Sequence, residues 1–340
     1  MGKKAMLGSL LGRSGIAAGR LRAAGTPADQ LMILAYHRVL DIGEEALFPQ
    51  DPELVSASVA DFERQMCFVR EHFTPLKLAD VIDCLERGRE LPRRALVVTF
   101  DDGHLDNYTH AFPVLRRLGV PATIFLSTDY IGSDRMFWFD RVALLLYSAP
   151  AGQWRFAGCS FALPAHDVQA RRKAAGTLLR RLKEVPDAER LACLESMDDA
   201  LAQYAPPRAV PARSALNWDE VRQMARAGIE FGSHTCSHPI LTRLDDAALR
   251  RELHESRRIL SEQLGQPVDT VAYPVGKIRA FDERVISISR ECGYRLGVSY
   301  ETGVNALRSM DRFALRRLPV ERYTELPFFK GLLAFPELLA

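Results

Sequence analysis

The chain has 340 residues, of which 47% are hydrophobic and 26% are charged, and its formal net charge is +2. A chain of this length and composition can bury the core of one large globular domain. The small net charge and the lack of a basic stripe with interleaved aromatic residues argue against nucleic-acid binding, and no apolar run of about 18 residues that would span a membrane is present.

The N-terminal segment 1–30 is expected to be an extension outside the main domain, 31–340. Its apolar residues are interspersed with glycine, serine and basic residues, which does not fit the apolar centre of a secretion signal. Two interpretations stay open: a basic amphipathic helix that lies on an anionic membrane, or a terminal helix that packs on the domain. The apolar face of such a helix would contain Met6, Leu7, Leu10, Leu11, Ile16 and Leu21.

The six cysteines form no CxxC pair and no tight framework, which in a long chain predicts reduced thiols. We therefore expect a cytoplasmic protein, which would be peripheral on the membrane under the first interpretation of segment 1–30.

Along the main domain, apolar β-branched runs alternate with amphipathic helical patterns. Strands are expected at 31–36, 95–100, 122–126, 229–232, 270–273, 296–299 and 314–320. Helices are expected at 59–72, 78–87, 106–118 (with Asp106 as its N-cap), 218–227, 245–264 and 282–292. Residues from about 134 to 213 break the alternation with an aromatic cluster at 137–139 and two charged helical patterns, 171–183 and 188–202, which predict a mostly helical insertion.

About seven strands joined by helices favour a distorted parallel (β/α) barrel. An open doubly wound sheet is the alternative, and it would place the same motifs at the carboxyl ends of its strands.

Two short motifs follow predicted strands and contain the candidates for chemistry. They are Thr99-Phe100-Asp101-Asp102-Gly103 and Ser233-His234-Thr235-Cys236-Ser237-His238. One aspartate and two histidines supply three ligands for a divalent metal and leave positions open for water and substrate. Because adjacent carboxylates on a turn point in different directions, we assign Asp102 as a metal ligand with His234 and His238, and Asp101 as the general base. The two histidines can converge from one face of a helix or from a tight loop.

These residues together are typical of a metal-dependent hydrolase. A bound divalent cation would make water more acidic, and Asp101 could accept the proton. The oxyanion would need a backbone donor, for which the N–H of Val275, in a turn after a predicted strand, is the candidate. His104 and His110 are expected to be structural or exposed, and Cys236 would point away from the two histidines if the segment were helical.

With these motifs the sequence resembles the polysaccharide deacetylases, the metal-dependent carbohydrate esterases that remove N- or O-acetyl groups from sugars. The similar elements run from Tyr36-His37 to about Val320 and are interrupted by the insertion. The resemblance implies a distorted (β/α) barrel and a divalent metal, most simply zinc, with cobalt or nickel as alternatives. It also implies the same roles for Asp101, Asp102, His234 and His238.

The sequence departs from the family pattern at two places. Ala272 stands where the family commonly has an arginine that positions the base. The late motif of the family usually supplies a histidine as general acid, but no histidine follows His254, and segment 314–319 occupies that place. His37, at the end of the first predicted strand, is therefore the candidate general acid.

The expected function is removal of N-acetyl groups from amino sugars of a surface polysaccharide, or of its lipid-linked or nucleotide-linked precursor, as in exopolysaccharide biosynthesis. One alternative is a deformylase or another C–N amide hydrolase on the same scaffold. The other is a glycan-binding protein without turnover, which the intact aspartate and histidine motifs oppose.

Overall fold

A computed structural model describes residues 3–14, 16–23, 30–44, 48–205, 213–306 and 308–339, with the backbone alone at 3–5, 18 and 21–23. The strands are β1 (Gln30–Tyr36), β2 (Arg38–Val39), β3 (Val55–Ala57), β4 (Thr74–Leu76), β5 (Ala95–Phe100), β6 (Thr123–Leu126), β7 (Gly152–Phe156), β8 (Cys159–Leu163), β9 (Glu230–Ser233), β10 (Thr270–Ala272), β11 (Leu296–Thr302), β12 (Asn305–Ala306) and β13 (Leu315–Pro319).

The α-helices are α1 (Lys3–Arg13), α2 (Ile16–Ala23), α3 (Val59–His72), α4 (Leu78–Glu86), α5 (Phe112–Leu118), α6 (Trp138–Ser148), α7 (Val168–Leu182), α8 (Asp187–Leu201), α9 (Trp218–Arg226), α10 (Asp246–Leu264), α11 (Glu283–Glu291), α12 (Leu326–Ala334) and α13 (Pro336–Leu339). Short 3-10 turns lie at Pro52–Leu54, Ala202–Tyr204 and Leu241–Arg243, and a π-helical turn lies at Asn107–Ala111. Within the described ranges, none of these helices combines the length and the apolar character needed to cross a bilayer.

Seven strands close into a barrel in which all neighbours are parallel. Around the ring their order is β1, β13, β11, β10, β9, β6 and β5, and β5 returns to β1 in a register from Met32–Leu96 to Tyr36–Phe100. The β4 strand pairs with β5, and β12 pairs antiparallel with β1. These seven strands correspond to the seven that the sequence predicts, so the barrel is confirmed. The open sheet is wrong, because the β1–β5 pairing closes the ring.

Alternate strand residues face opposite sides, as the pleat requires. One core cluster gathers side chains from six barrel strands, and its members include Leu31, Ile33, Val97, Phe125, Ala272, Val298 and Leu315. The intervening residues, such as Leu34, Val98 and Leu318, belong to the cluster under the surrounding helices. Leu78 and Val81 of α4 join the first cluster beside Leu31 and Ala95, so α4 covers the end where these strands begin and leaves the carboxyl ends free.

The helix expected at 106–118 differs in its first turn. It starts with the π-helical turn, and Asp106 makes no N-cap hydrogen bond. The Asp106 carboxylate instead accepts hydrogen bonds from Arg38 Nε at 2.8 Å and from the Val39 backbone N–H at 2.9 Å. The N-cap prediction is therefore wrong, because a buried arginine competes for the carboxylate.

The insertion between β6 and β9 contains α6, α7 and α8, and also an antiparallel hairpin of β7 and β8 that the helical patterns did not predict. Its last part, 206–212, lies outside the described residues. At the N-terminus, α1 packs along α12, which places this terminal helix on the body of the protein.

Candidate functional site

A cavity of about 320 Å³ opens at the carboxyl ends of the barrel strands. The sequence predicts six site residues, and all six line this cavity: His37, Asp101, Asp102, His234, His238 and Val275. The barrel therefore brings together two motifs that lie more than a hundred residues apart in the chain.

Asp102, His234 and His238 form a buried cluster in which one ligand atom from each lies within 4.8 Å of the others. The Asp102 Oδ1 atom is 3.6 Å from His234 Nε2 and 3.4 Å from His238 Nε2. The two imidazole rings stand nearly perpendicular, with their centroids 4.9 Å apart. Both Nε2 atoms thus converge on one carboxylate oxygen.

The backbone that positions this cluster is strained. Asp102 and His238 have φ angles of 74° and 57°, and Thr235 and Val275 have φ angles of 67° and 63°. The left-handed region costs a non-glycine residue about 1–3 kcal/mol, and such strain collects at functional sites. Only two other non-glycine residues of the described ranges, Arg94 and Ala157, have positive φ.

The segment between the two histidines is a tight loop, which decides between the two geometries that the sequence left open. Glu252 of α10 holds this loop, since its carboxylate accepts hydrogen bonds from the backbone N–H groups of Cys236 and Ser237 at 2.8 and 3.0 Å. The Cys236 Sγ atom faces the Glu252 carbonyl at 3.6 Å, and Cys236 does not belong to the cluster of Asp102, His234 and His238.

Further contacts orient the two histidines. His234 Nδ1 lies 2.7 Å from the Ala272 carbonyl, so this nitrogen donates and leaves the Nε2 lone pair facing the cluster. The indole N–H of Trp138 donates to the His238 carbonyl at 3.0 Å, and the Phe139 ring packs edge-on against the His238 ring. The aromatic cluster seen in the sequence therefore supports a site residue.

His104, expected to be structural or exposed, is fully buried and lies with its Nε2 atom 3.2 Å from Asp102 Oδ2. It holds the second oxygen of the ligand carboxylate. His110 is half-buried, with its Nδ1 atom 3.0 Å from the Val39 carbonyl.

The protonation states suit a cation. Burial opposes ionisation of Asp102, but the His104 hydrogen bond and the nearby His238 outweigh it and lower the pKa of Asp102. Burial lowers the pKa of His238 to about 3, which keeps its imidazole neutral. A metal requires a charged carboxylate and a neutral imidazole.

The Asp102 Oδ1 atom is buried and has no hydrogen-bond partner among the described residues. A buried carboxylate oxygen without a partner is costly, and a cation would satisfy it. One carboxylate and two imidazoles therefore fit a divalent metal at this position.

Asp101 points to a different partner. Its two carboxylate oxygens accept hydrogen bonds from Arg317 Nη1 at 2.8 Å and Arg317 Nη2 at 2.7 Å. Both residues are buried, and Arg317 also donates through Nε to the Ser299 carbonyl at 2.7 Å. Burial opposes ionisation of Asp101, but the Arg317 guanidinium outweighs it, so the pKa of Asp101 is lowered.

Arg317 is the site residue that the sequence reasoning missed. It supplies from β13 the arginine that is missing at Ala272. The signal was present, because Arg317 lies between Leu315 and Leu318 in a predicted strand, two residues after an inward-facing leucine. A buried arginine requires a charged partner, and a carboxylate at the same barrel mouth is the nearest kind.

His37 follows β1 and faces the same cavity. Its ring lies 5.5 Å from the Tyr300 ring, and its backbone is held by Ser56 Oγ, which accepts from the His37 N–H at 3.0 Å. Burial lowers the pKa of His37, and the Asp102 and Asp101 carboxylates act in the opposite direction.

The insertion also forms part of the cavity wall. Phe139 of α6, Leu179 of α7 and Lys183 after α7 line the cavity beside the predicted residues. Burial lowers the pKa of the Lys183 ammonium group, while the Asp51 and Asp102 carboxylates act against this change. The insertion therefore contributes one apolar wall and one amine to the site.

Comparison with known proteins shows the family of the chain. The family model of the polysaccharide deacetylases matches residues 88–297, more than half of the chain, and includes both motifs. The chain is also similar to the poly-beta-1,6-N-acetyl-D-glucosamine N-deacetylase of Staphylococcus epidermidis. The two are 28% identical over 214 residues, which cover 59% of this chain and 71% of that protein.

Two solved structures have a similar fold. The deacetylase PplD of Streptococcus pyogenes is 18% identical with a TM-score of 0.58, and the match covers 87% of this chain and 95% of that one. The deacetylase domain of BpsB from Bordetella bronchiseptica is 20% identical with a TM-score of 0.53, and the match covers 87% and 97%. Because the family model matches more than half of the chain, the chain belongs to the polysaccharide deacetylase family of hydrolases, as the sequence motifs had implied.

Proposed function

We propose that this protein is a metal-dependent N-deacetylase that acts on N-acetylated amino sugars of a surface polysaccharide or of its precursor. The observation that carries the proposal is one cavity in which a buried Asp–His–His cluster lies beside an arginine-paired aspartate. A family likeness alone would not fix the function, whereas the residues of the site determine which chemistry it can support.

Asp102, His234 and His238 are the residues that would hold the metal. When bound there, a divalent cation would supply Lewis acidity toward the acetyl carbonyl and toward water. Two imidazoles and one carboxylate suit zinc, and also cobalt and nickel, better than calcium or magnesium, which prefer oxygen ligands.

Asp101 acts as the general base. The Arg317 ion pair keeps its carboxylate ionised at neutral pH, so it can accept a proton from the water that attacks the acetyl carbonyl. Both oxygens already accept one hydrogen bond from Arg317, and each retains a further lone pair for water. Arg317 also fixes the direction of the carboxylate.

Val275 and His37 complete the reaction. The backbone N–H of Val275 would donate to the oxyanion that develops on the acetyl oxygen. His37 would give a proton to the amide nitrogen as its bond to the acetyl carbon breaks. The balance is one amide and one water consumed, and one acetate and one amine released.

The substrate class follows from the family and from one relative. The S. epidermidis relative is named for its action on poly-beta-1,6-N-acetyl-D-glucosamine. We extend to this chain the same chemical group, an N-acetylated hexosamine, in a polymer or in a lipid-linked or nucleotide-linked precursor.

The test is acetate release from free N-acetylglucosamine, from β-1,6-linked oligomers and from lipid-linked sugars. The metal-free protein is reloaded with zinc, cobalt or nickel before each assay. We expect metal-dependent acetate release that Asp101→Asn abolishes while metal binding stays stoichiometric. His238→Ala should instead lose metal affinity. Stoichiometric metal without acetate would contradict the proposal, and release of formate instead would indicate a deformylase.

A further inference from the structure

The terminal helices expose an unusual amount of apolar surface. Nine large apolar side chains are exposed in the described part of the chain, and five of them lie on α1, α2 and α13. They are Met6 (60% exposed), Leu7 (45%), Leu10 (66%), Ile16 (54%) and Leu338 (54%). Single exposed apolar residues are ordinary, whereas a group of five at one end of a protein indicates an interaction surface.

The way in which α1 packs makes this exposure more informative. A Cβ atom added to Gly8 would lie 2.5 Å from Phe328 Cδ2, and one added to Gly12 would lie 1.8 Å from the Pro327 carbonyl oxygen. The glycine side of α1 therefore faces α12. Because successive helix residues are about 100° apart, Leu10 lies opposite Gly8. A helix whose only role was to pack on the protein would bury its large apolar side chains. In α1 the glycines face the protein, and Met6 and Leu10 are exposed.

The positive charge of the N-terminal segment favours an anionic partner. Residues 1–28 contain five basic residues and no acidic residue, and Lys3 and Lys4 lie in the first turn of α1. Arg13 ends α1 and is exposed, whereas Arg20 is paired with Glu337 at 2.6 Å. Basic residues beside exposed leucine and methionine fit the interface of an anionic lipid bilayer. A second copy docked through the same face about a twofold axis would place like charges together.

We propose that α1, α2 and the adjoining α13 form a docking surface for an anionic membrane, here called the terminal helix surface. In this arrangement the exposed apolar residues enter the interface, and Arg13 pairs with a lipid phosphate. The close approach of Gly8 and Gly12 to α12 places α1 directly against the body of the protein.

The location of the terminal helix surface links it to the cavity. Glu321 lines the cavity, and Pro327, which contacts Gly12, follows only six residues later. Six residues span at most about 20 Å, so the surface begins close to the cavity mouth. Docking would then bring the mouth near the membrane, where a lipid-linked sugar could reach it. This last step rests on the proposed function.

The experiment is flotation of the full chain with vesicles of phosphatidylcholine, alone or with roughly one quarter phosphatidylglycerol. We expect binding to the anionic vesicles only, and weaker binding at about 0.5 M salt, where screening is strong. The triple variant Met6→Ser, Leu7→Ser and Leu10→Ser should bind the anionic vesicles more than about tenfold more weakly. Each change removes apolar area that would be buried in the membrane. The control is Leu191→Ser, which changes an exposed leucine of α8 and should bind like the unchanged protein.

Absence of binding to both kinds of vesicle, or undiminished binding of the triple variant, would overturn the proposal. A dimer that the triple variant converts to a monomer, without vesicle binding, would overturn it in favour of a contact between copies. Acetate release from a soluble oligomer is measured on the same variants. Vesicle binding without acetate release would contradict the proposed function alone, and acetate release without vesicle binding would contradict the docking surface alone.

Discussion

The ionised state of Asp101 depends on a residue 216 positions later in the chain. The two aspartates of the first motif were separable from the sequence, because adjacent carboxylates on a turn face different surroundings. The hydrogen-bond partner of each aspartate could not be predicted in this way. Arg317 reaches Asp101 only through the tertiary fold, whereas His104 lies two residues from its partner Asp102. Both residues are buried polar side chains. A polar residue that a sequence places in a buried position is therefore a candidate partner for a buried carboxylate.

Arg317→Lys tests the ion pair at Asp101. Lysine keeps the positive charge but cannot make the bidentate contact, so the pKa of Asp101 should rise toward its ordinary value. Because the base must be deprotonated, the acidic limb of kcat/KM should move to higher pH, and kcat should fall more than about tenfold. Metal content should stay unchanged.

The matched control for Arg317→Lys is Arg316→Lys, which changes the exposed neighbour on the same strand. A slower Arg317→Lys enzyme with an unmoved acidic limb would mean that Arg317 has only a packing role.

His37→Gln tests the general acid. Glutamine retains hydrogen-bonding capacity but cannot supply the proton, so kcat should fall by a factor of about 100 to 10,000 and KM should change little. The pH dependence of kcat should also lose one ionisation. His254→Gln, at an exposed histidine of α10, is the control. An unchanged rate and pH profile would exclude His37 as the acid.

At the scale of elements, β1, β5 and β6 were predictable because they are apolar runs, which parallel strands buried on both sides require. The other barrel strands were predictable from their alternation with helical patterns. The hairpin of β7 and β8 was missed because β7 is mostly exposed and lacks the continuous apolar character of the core strands. Gly158 was a signal for its turn, in which Ala157 and Gly158 both have positive φ angles. The predicted start of the helix, with Asp106 as its N-cap, was wrong because the Asp106 carboxylate binds Arg38 and the Val39 backbone N–H instead.

Helix α6 acts on the cluster through its first residue. Trp138→Phe removes the hydrogen bond to the His238 carbonyl and retains an aromatic side chain, so the strained His238 backbone loses a restraint. Loss of a contact that orients a ligand weakens metal binding by about 10- to 100-fold, and we expect a change in this range. Competition with a chromogenic chelator measures it.

The hairpin of the insertion offers a matched control for Trp138→Phe. The indole N–H of Trp154 donates to the Pro150 carbonyl at 3.1 Å, so Trp154→Phe removes a similar bond elsewhere in the insertion. Equal metal affinity in the two variants would show that α6 does not position His238.

For the whole molecule, closure of the barrel depends on β13, which lies between β1 and β11. The count of strands and their parallel direction could be predicted from the alternation of elements. The order of the strands around the ring follows their order in the chain, as a (β/α) barrel requires. The register between neighbouring strands could not be predicted, because it is set by side chains from distant parts of the chain.

Leu318→Ala tests the contribution of β13 to stability. Leu318 is fully buried, so the substitution should lower the free energy of unfolding by about 2–5 kcal/mol. Urea unfolding followed by near-ultraviolet circular dichroism measures the change, and metal release should follow the same transition. Leu191→Ala, at an exposed position, should change it by less than about 0.5 kcal/mol. A similar small effect of Leu318→Ala would contradict the closing role of β13.

The place of Arg317 on that closing strand has a consequence during synthesis. A chain emerging from the ribosome completes both histidines of the second motif before it contains the arginine. Because β13 also closes the ring, the arginine that pairs with Asp101 is made together with the strand that completes the barrel. Barrel closure and the ion pair at Asp101 are therefore both delayed until the same late segment of the chain has been synthesised.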